Sequence, residues 1–301
     1  MNMKNNKIKR CRQDVVFDVV NTILMAALLV VLIWPLWFVV IASISDPYAV
    51  NAGEVMLLPK KITLKGYEYM FQYRELIRGY LNTIYYTVTG TALNMIFSVA
   101  MAYPLSEKGF KPRGILTGFF MFTMYFNGGL IPNYLLMKSL GILNTRWAMI
   151  VPGMISVYNT LIIRSYFINS IPNEIKEASM IDGAGQADYL FKILLPLSKP
   201  VLAVIGLYYM VEHWNDFSNA LYYIYDTDLV PLQTVLRNLL MSSKMTASIL
   251  SEDAEAARKA YEVSQSMKYA VIIAAVLPMT CIYPWVQKYF AKGMMVGSVK
   301  G

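Results

Sequence analysis

The chain has 301 residues, of which 56% are hydrophobic and only 15% are charged. Soluble domains carry about 25% charged residues, and here the charges are absent from five long stretches, 19–45, 79–106, 114–137, 147–163 and 269–287. These stretches exclude a water-soluble fold, because too little polar surface would remain to face water. The net charge of +8 does not indicate nucleic-acid binding, since the basic residues mostly flank the apolar stretches and form no patch interleaved with aromatic residues.

The apolar stretches predict an all-α fold, that of a polytopic membrane protein with six transmembrane helices. A helix needs about 20 mainly apolar residues to cross a hydrocarbon core of about 30 Å. The predicted spans, in chain order, are 16–42, 82–105, 114–137, 147–168, 200–222 and 269–288. The first could instead be a signal peptide, because basic residues precede it, but its apolar run is too long and contains Pro35. No repeat or linker divides the chain, so residues 1–301 are predicted to form a single membrane domain.

The distribution of positive charge predicts that both termini lie in the cytoplasm. The short segment between the second and third spans contains Lys108, Lys111 and Arg113, and short loops rich in Lys and Arg stay on the cytoplasmic side. Segments 46–78 and 223–268 are then extracellular. The first predicts an irregular lid with one short helix, and the Ala- and Glu-rich stretch 246–260 of the second predicts a surface helix.

The fifth span carries polar residues at steps of three and four, which places them on one helical face. They are Tyr208, Glu212, Asn215, Asp216, Asn219 and Tyr223. Ionisable residues inside a span are costly and usually face a cavity or a partner. Carboxylates, amides and aromatic rings suit a hydroxylated sugar, so we predict that this stripe lines a substrate pathway; contact with a partner subunit is the alternative. Trp214 lies off the stripe and is expected to pack against a neighbouring span.

The second and third spans contain two further patterns. Small polar residues follow one face of the second span, and we favour helix packing over a pathway role for them. They are Thr83, Thr87, Thr91, Asn94 and Ser98. Gly128, Gly129 and Pro132 predict a break or bend in the third span, because such residues interrupt a helix. That break is consistent with either a pathway role or a structural kink.

The predicted cytoplasmic loop 170–196 contains the most specific pattern. Pro172 suits a helix start, Glu174 lies near the positive end of the helix dipole, and Gly183 ends the helix. The short helix has an exposed apolar edge that requires a partner. Its spacing is Glu177-Ala178-Ser179, three residues, Gly183, nine residues, Ile193, one residue, and Leu195-Pro196.

This spacing resembles the loop of permeases of binding-protein-dependent ABC importers, with Ser179 in place of the second Ala of their Glu-Ala-Ala motif. The rest of the chain is similar to the maltose-type sugar-uptake branch, in segments such as Asn127–Pro132 and His213–Phe217, and most similar to a complex-oligosaccharide subgroup. The resemblance implies the type I ABC importer permease fold, with a coupling helix that docks in a cleft of the ATPase subunit. The residues to which it assigns coupling are Glu174, Glu177, Ala178, Ser179, Asp182, Gly183, Ile193, Leu195 and Pro196.

The resemblance also implies a function and a set of partners. The chain would be the transmembrane subunit of an ATP-driven importer that moves an oligosaccharide from an external binding protein into the cytoplasm by alternating access. The implied location is the plasma membrane of a bacterium. The implied partners are a second homologous permease subunit, an ATPase subunit dimer, an extracellular substrate-binding lipoprotein, the oligosaccharide and membrane lipid.

The sequence predicts no enzymatic site and no cofactor on this chain. It has no Gly-x-x-x-x-Gly-Lys-Ser/Thr loop, so ATP and Mg are expected on the separate ATPase subunit. Cys11, Cys281 and the single histidine, His213, form no metal-binding pattern. An ion-coupled secondary transporter, with Glu212 and Asp216 as coupling carboxylates, is the alternative within transport, and a non-transporting scaffold is a third hypothesis. The Glu177-Ala178-Ser179 loop speaks against both.

Overall fold

The computed structural model describes residues 12–246 and 254–293, which are α-helical and contain no β-strand within those ranges. The helices are α1 Arg12–Ser43, α2 Pro47–Asn51, α3 Lys65–Gln72, α4 Arg74–Ser106, α5 Arg113–Tyr125, α6 Leu130–Ser139, α7 Val157–Asn169, α8 Asn173–Ile181, α9 Gln186–Asp188, α10 Leu195–Leu197, α11 Lys199–Asn215, α12 Ser218–Tyr223, α13 Leu232–Thr246 and α14 Ala254–Gly293. Short 3-10 helices lie at Arg146–Met149 and Thr227–Leu229, and a π-helix, Tyr189–Leu194, joins α9 to α10. Part of the predicted surface helix 246–260 lies outside the described residues.

Among the residues that the structure describes, three helical segments are each long and apolar enough to cross a membrane: Gln13–Ser43, Arg74–Ser106 and Gln265–Lys288. Two bent pairs raise the number to five if each pair is one span. These are α5 with α6, bent by 114°, and Gln186–Leu197 with α11, bent by 79°. The boundaries of the six spans therefore stay predictions. The structure does show which of the predicted segments are continuous helices.

The predicted span 147–168 differs most from the helices that the structure contains. The α-helix in this region, α7, has 13 residues, which gives about 20 Å at 1.5 Å per residue. Residues before Val157 form a 3-10 helix and irregular backbone. Pro152 lacks the N–H that an α-helical hydrogen bond would need, and Gly153 has a φ of +72°. The Ser156 hydroxyl then accepts a hydrogen bond from the Asn159 N–H and caps the start of α7.

The predicted third and fifth spans are each divided into two helices. In the third, Gly129 has a φ of +87°, and its N–H donates to Asn127 Oδ1 at 2.9 Å. In the fifth, α11 ends at Asn215, and Asp216 Oδ1 accepts from the Asn219 N–H at 3.1 Å in the first turn of α12. An acidic side chain bonded to the first turn favours a new helix start at this point.

The described residues belong to two compact units. One contains the described residues up to Met70 and those between Thr246 and Ile273, and its apolar core contains Ile41, Ala42, Ala49, Val50 and Val55. In this unit the Phe38 and Tyr269 rings meet edge to face. Segment 46–78, predicted to hold one short helix, contains α2, α3 and the first residues of α4.

The second unit contains Phe71–Met245 and the described residues from Ala274 onward. Its core is formed by α4, α7, the π-helix and α11 around buried residues that include Ala102, Ile163, Phe167, Leu194 and Ile205. This packing fixes α8 and the π-helix beside the end of α4, and it places α11 against α4. Both candidate functional regions therefore rest on the same core.

Candidate coupling and substrate sites

The predicted coupling helix is present as α8, and its end depends on Gly183. Pro172 precedes the helix, and Glu174 lies in its first turn. Gly183 has a φ of +84°, and the Ala184 N–H donates to the Ser179 carbonyl at 2.9 Å. A glycine in the left-handed region that closes the last turn is a common helix stop, so the backbone conformation explains why glycine is required here.

The predicted coupling residues divide into an exposed group and an anchored group. Glu174, Glu177, Ala178, Asp182, Gly183 and Pro196 are exposed. Ser179 is buried, and its hydroxyl donates to the Lys176 carbonyl at 2.7 Å. Ile193 and Leu195 pack against the core of the second unit. The anchored residues therefore hold the loop, and the exposed ones are available to a partner.

An exposed apolar edge follows the acidic positions of α8. The side chain of Ile181 is 86% exposed and that of Met180 is 45% exposed. Large apolar side chains in contact with water favour burial against another surface. This edge has the character of a docking surface.

Two contacts that the sequence did not predict join the coupling loop to the end of α4. Lys176 forms an ion pair with Glu107, and both side chains are about four-fifths buried. The Tyr103 hydroxyl donates to Gln186 Oε1 at 2.5 Å. Glu107 and Lys176 lie 69 residues apart in the sequence, so no local spacing could have revealed the pair. We call these four residues the loop latch.

The predicted substrate stripe on the fifth span is only partly continuous. Tyr208, Glu212 and Asn215 are exposed on α11. Asp216 and Asn219 bond each other, because Asn219 Nδ2 donates to Asp216 Oδ2 at 2.7 Å. The exposed side chains of Tyr208 and Glu212 are available to a substrate, whereas Asn215 Nδ2 donates to the Val211 carbonyl at 2.9 Å. The break in the helix gives Asp216 and Asn219 a structural contact.

Tyr223, the last residue of the stripe, lies in a core. Its side chain is 5% exposed, it packs with Met137 and Ala148, and its ring stacks on Tyr134. The structure therefore separates it from the exposed face of α11. Tyr223 shares a face with Tyr208 and Glu212 only if one continuous helix runs across Asp216, and the helix is interrupted there.

The small polar residues of the second span lie at buried positions. Thr83, Thr87, Thr91, Asn94 and Ser98 are each at most 9% exposed. The hydroxyls of Ser98 and Tyr209 lie 2.6 Å apart, and Thr83 Oγ1 accepts from the Leu232 N–H at 2.8 Å. These contacts favour the packing interpretation of this stripe.

His213 and Trp214 pack on the opposite side of α11 from the exposed stripe residues. A Cβ at Gly90 would lie 2.4 Å from His213 Nε2, so the imidazole occupies the space that glycine leaves open. Trp214 Nε1 donates to the Ala275 carbonyl at 2.9 Å, and the Trp214 ring meets Tyr80 edge to face. The tryptophan thus packs against neighbouring helices, and the histidine has a steric role.

The end of the stripe adjoins α13. Gln233 Nε2 donates to Asn215 Oδ1 at 3.4 Å, and the Arg237 guanidinium lies 5.7 Å from the centre of the Phe217 ring. Arg237 is exposed and has no ion-pair partner among the described residues.

No group of three or more His, Cys, Asp or Glu side chains in the described part of the chain could hold a metal ion.

Bent and continuous apolar helices, together with the short exposed helix α8, are the features expected of a membrane transport permease. Residues 14–296 match the family described as binding-protein-dependent transport system inner membrane component, and the chain belongs to this family. Protein LplC of Bacillus subtilis (strain 168) is 40% identical over 299 residues, which cover 99% of this chain and 98% of that protein.

Two further proteins share most of the chain. The polygalacturonan/rhamnogalacturonan transport system permease protein YtcP of the same Bacillus strain is 38% identical over 93% of this chain and 96% of its own length. The fold is similar, with a TM-score of 0.84 and 31% identity, to a chain in the crystal structure of a bacterial ABC transporter involved in the import of the acidic polysaccharide alginate. That match covers 94% of this chain and all of the other.

These matches confirm the resemblance stated from the loop spacing, the all-α fold and the type I ABC importer permease fold. The chain is a membrane transport subunit, and an ion-coupled secondary transporter is not favoured. The roles of individual residues in coupling and in substrate passage remain predictions.

Proposed function

We propose that the chain is the transmembrane subunit of an ATP-driven oligosaccharide importer that works by alternating access. The observation that carries the proposal is α8, a short helix whose acidic and apolar residues are exposed while its neighbours are anchored in the core. Such a helix suits docking on an ATPase subunit. The loop latch then joins that helix to α4, which packs on α11.

The proposed assembly follows from two features of the chain, the lack of a nucleotide-binding loop in its sequence and the exposed apolar face of α1. Its sequence has no nucleotide-binding loop, so ATP and Mg bind to a separate pair of ATPase subunits. The long exposed apolar face of α1, with residues such as Leu28, Val31 and Leu32 at least 49% exposed, suits lipid and a second permease subunit. An extracellular binding lipoprotein delivers the sugar, and both termini lie in the cytoplasm.

The proposed substrate class is an acidic oligosaccharide that contains uronate units. YtcP is named for the transport of polygalacturonan and rhamnogalacturonan, and the transporter of known structure imports the acidic polysaccharide alginate. Arg237, exposed beside Phe217 at the end of the stripe, offers a guanidinium that can bind a carboxylate with two parallel hydrogen bonds. Phe217 and Tyr208 supply aromatic faces for the apolar side of sugar rings.

The substrate proposal is tested with the purified complex and its binding protein. ATPase activity is measured with the binding protein loaded with oligogalacturonate or with a neutral oligosaccharide of the same length. We expect stimulation by the acidic sugar, and a weaker response of Arg237→Gln to it. Equal stimulation by both sugars, unchanged in the variant, would contradict the assignment.

A further inference from the structure

A cavity of about 580 Å³ lies between the end of α4, the start of α5, the end of α7 and α8. Its charged lining residues are Glu107, Lys108, Arg113, Arg164, Lys176 and Glu177. Basic side chains therefore outnumber carboxylates. Pro172 and Asn173, at the start of α8, also line the cavity, and the positive end of the helix dipole adds to its positive potential.

Three of the basic side chains have no carboxylate partner among the residues that the structure describes. Lys176 pairs with Glu107, but Lys108, Arg113 and Arg164 form no ion pair with a carboxylate in the part of the chain that the structure describes. Arg164 and Arg113 are half-buried, and Arg164 Nε donates to the Leu105 carbonyl at 2.8 Å. Partly buried cations without a counter-charge favour an anionic ligand.

The rest of the lining is apolar. Phe167, Ile171 and Leu194 are buried there, while Ile168 and Met180 keep more than a third of their surface exposed. The cavity also lies where the long apolar helix α4 ends and the basic segment before α5 begins. A positive site next to apolar surface at such a boundary suits a ligand with an anionic head and a hydrocarbon tail.

We propose that this cavity binds the phosphate group of an anionic phospholipid from the cytoplasmic leaflet. The inference rests on the proposed orientation of the chain, which places α8 in the cytoplasm. The lipid phosphate lies among Lys108, Arg113 and Arg164, and its acyl chains follow Ile168 at the end of α7. Because the loop latch borders the cavity, the bound lipid also supports the position of α8 beside α4.

The test measures phosphatidylglycerol retained on the assembled transporter by native mass spectrometry. The complex is taken from nanodiscs of phosphatidylcholine alone or of an equal mixture with phosphatidylglycerol. We expect Lys108→Gln and Arg113→Gln each to lower the apparent affinity for phosphatidylglycerol about fivefold, the effect of one basic residue near an anionic lipid. Lys111→Gln is the matched control, because Lys111 belongs to the same segment but does not line the cavity.

Three results would overturn the lipid site. Equal losses in Lys108→Gln and Lys111→Gln would show general surface attraction. Displacement of phosphatidylglycerol by inorganic phosphate at the same total charge would assign the cavity to a soluble phosphate. Loss of the ATPase subunits from Lys108→Gln in every lipid would assign it to an acidic side chain of the ATPase.

The orientation on which the site depends is measured separately. Cysteine labelling of Lys111→Cys, in a variant whose native Cys11 and Cys281 are replaced by serine, should fail in intact cells with a membrane-impermeant reagent and succeed after the membrane is opened. Labelling from outside would contradict the cytoplasmic placement of α8, and with it the proposed coupling. Failure of lipid retention alone leaves that coupling unaffected.

Discussion

Gly183 combines a special backbone conformation with an exposed position. Its φ of +84° costs a non-glycine residue about 1–2 kcal/mol, while no side chain or backbone atom lies within 4 Å of a Cβ built there. We expect Gly183→Val to abolish uptake while the subunit remains in the membrane, because both the end of α8 and its docking surface change. Uptake assays on vesicles, with quantitative blotting of the subunit, measure both quantities.

Two comparison variants separate strain from docking at this position. Asn tolerates the left-handed region, so Gly183→Asn should keep more activity than Gly183→Val. Gly185 has a φ of −73°, and Gly185→Ala should transport normally. Normal transport by Gly183→Val would count against the coupling role of α8.

The Lys176–Glu107 ion pair gives a charge-exchange test of the loop latch. Lys176→Glu and Glu107→Lys each place like charges together and should uncouple ATP hydrolysis from uptake. The double variant restores opposite charges and should recover coupling. We expect an interaction free energy between the two positions on the order of 1 kcal/mol. The ratio of sugar transported to ATP hydrolysed measures coupling, and no recovery in the double variant would mean that the pair does not transmit the motion of α8.

Gly90 and His213 test the packing of α11 on α4. A methyl group at Gly90 would lie 2.4 Å from His213 Nε2, so Gly90→Ala should lower the thermal stability of the purified complex. His213→Ala removes the clashing ring and should restore most of that stability in the double variant. Equal melting temperatures for Gly90→Ala and the unmodified protein would contradict this close contact.

At the scale of elements, the break between α11 and α12 decides which stripe residues can meet a sugar. Tyr208, Glu212 and Asn215 remain exposed on α11, whereas Tyr223 is buried. We expect Glu212→Gln and Asn215→Ala to reduce uptake several-fold without changing basal ATPase activity. Tyr223→Phe should leave uptake unchanged, because its ring packs in a core. A large and specific loss of transport in Tyr223→Phe would instead indicate that Tyr223 lines the substrate pathway.

The sequence predicts an element best where one property, such as an apolar run or a pair of glycines, dominates. The apolar runs in α1, α4 and α14 and the glycines at 128 and 129 each indicated a structural feature that the structure contains. The apolar pattern of 147–168 does not indicate that α7 begins only at Val157, because Pro152 and Gly153 lie within an otherwise apolar stretch. The loop latch could not be found, because its ion pair joins residues 69 positions apart and depends on tertiary packing.

For the whole molecule, the proposed function requires that ATP hydrolysis on another polypeptide drives sugar import through this subunit. Reconstituted proteoliposomes that contain both permeases, the ATPase and the binding protein allow the driving force to be chosen. We predict that oligosaccharide uptake requires ATP on the side of the membrane that the ATPase subunits face. Uptake should persist when ion gradients are removed. Uptake without ATP that stops when the ion gradient collapses would contradict the account.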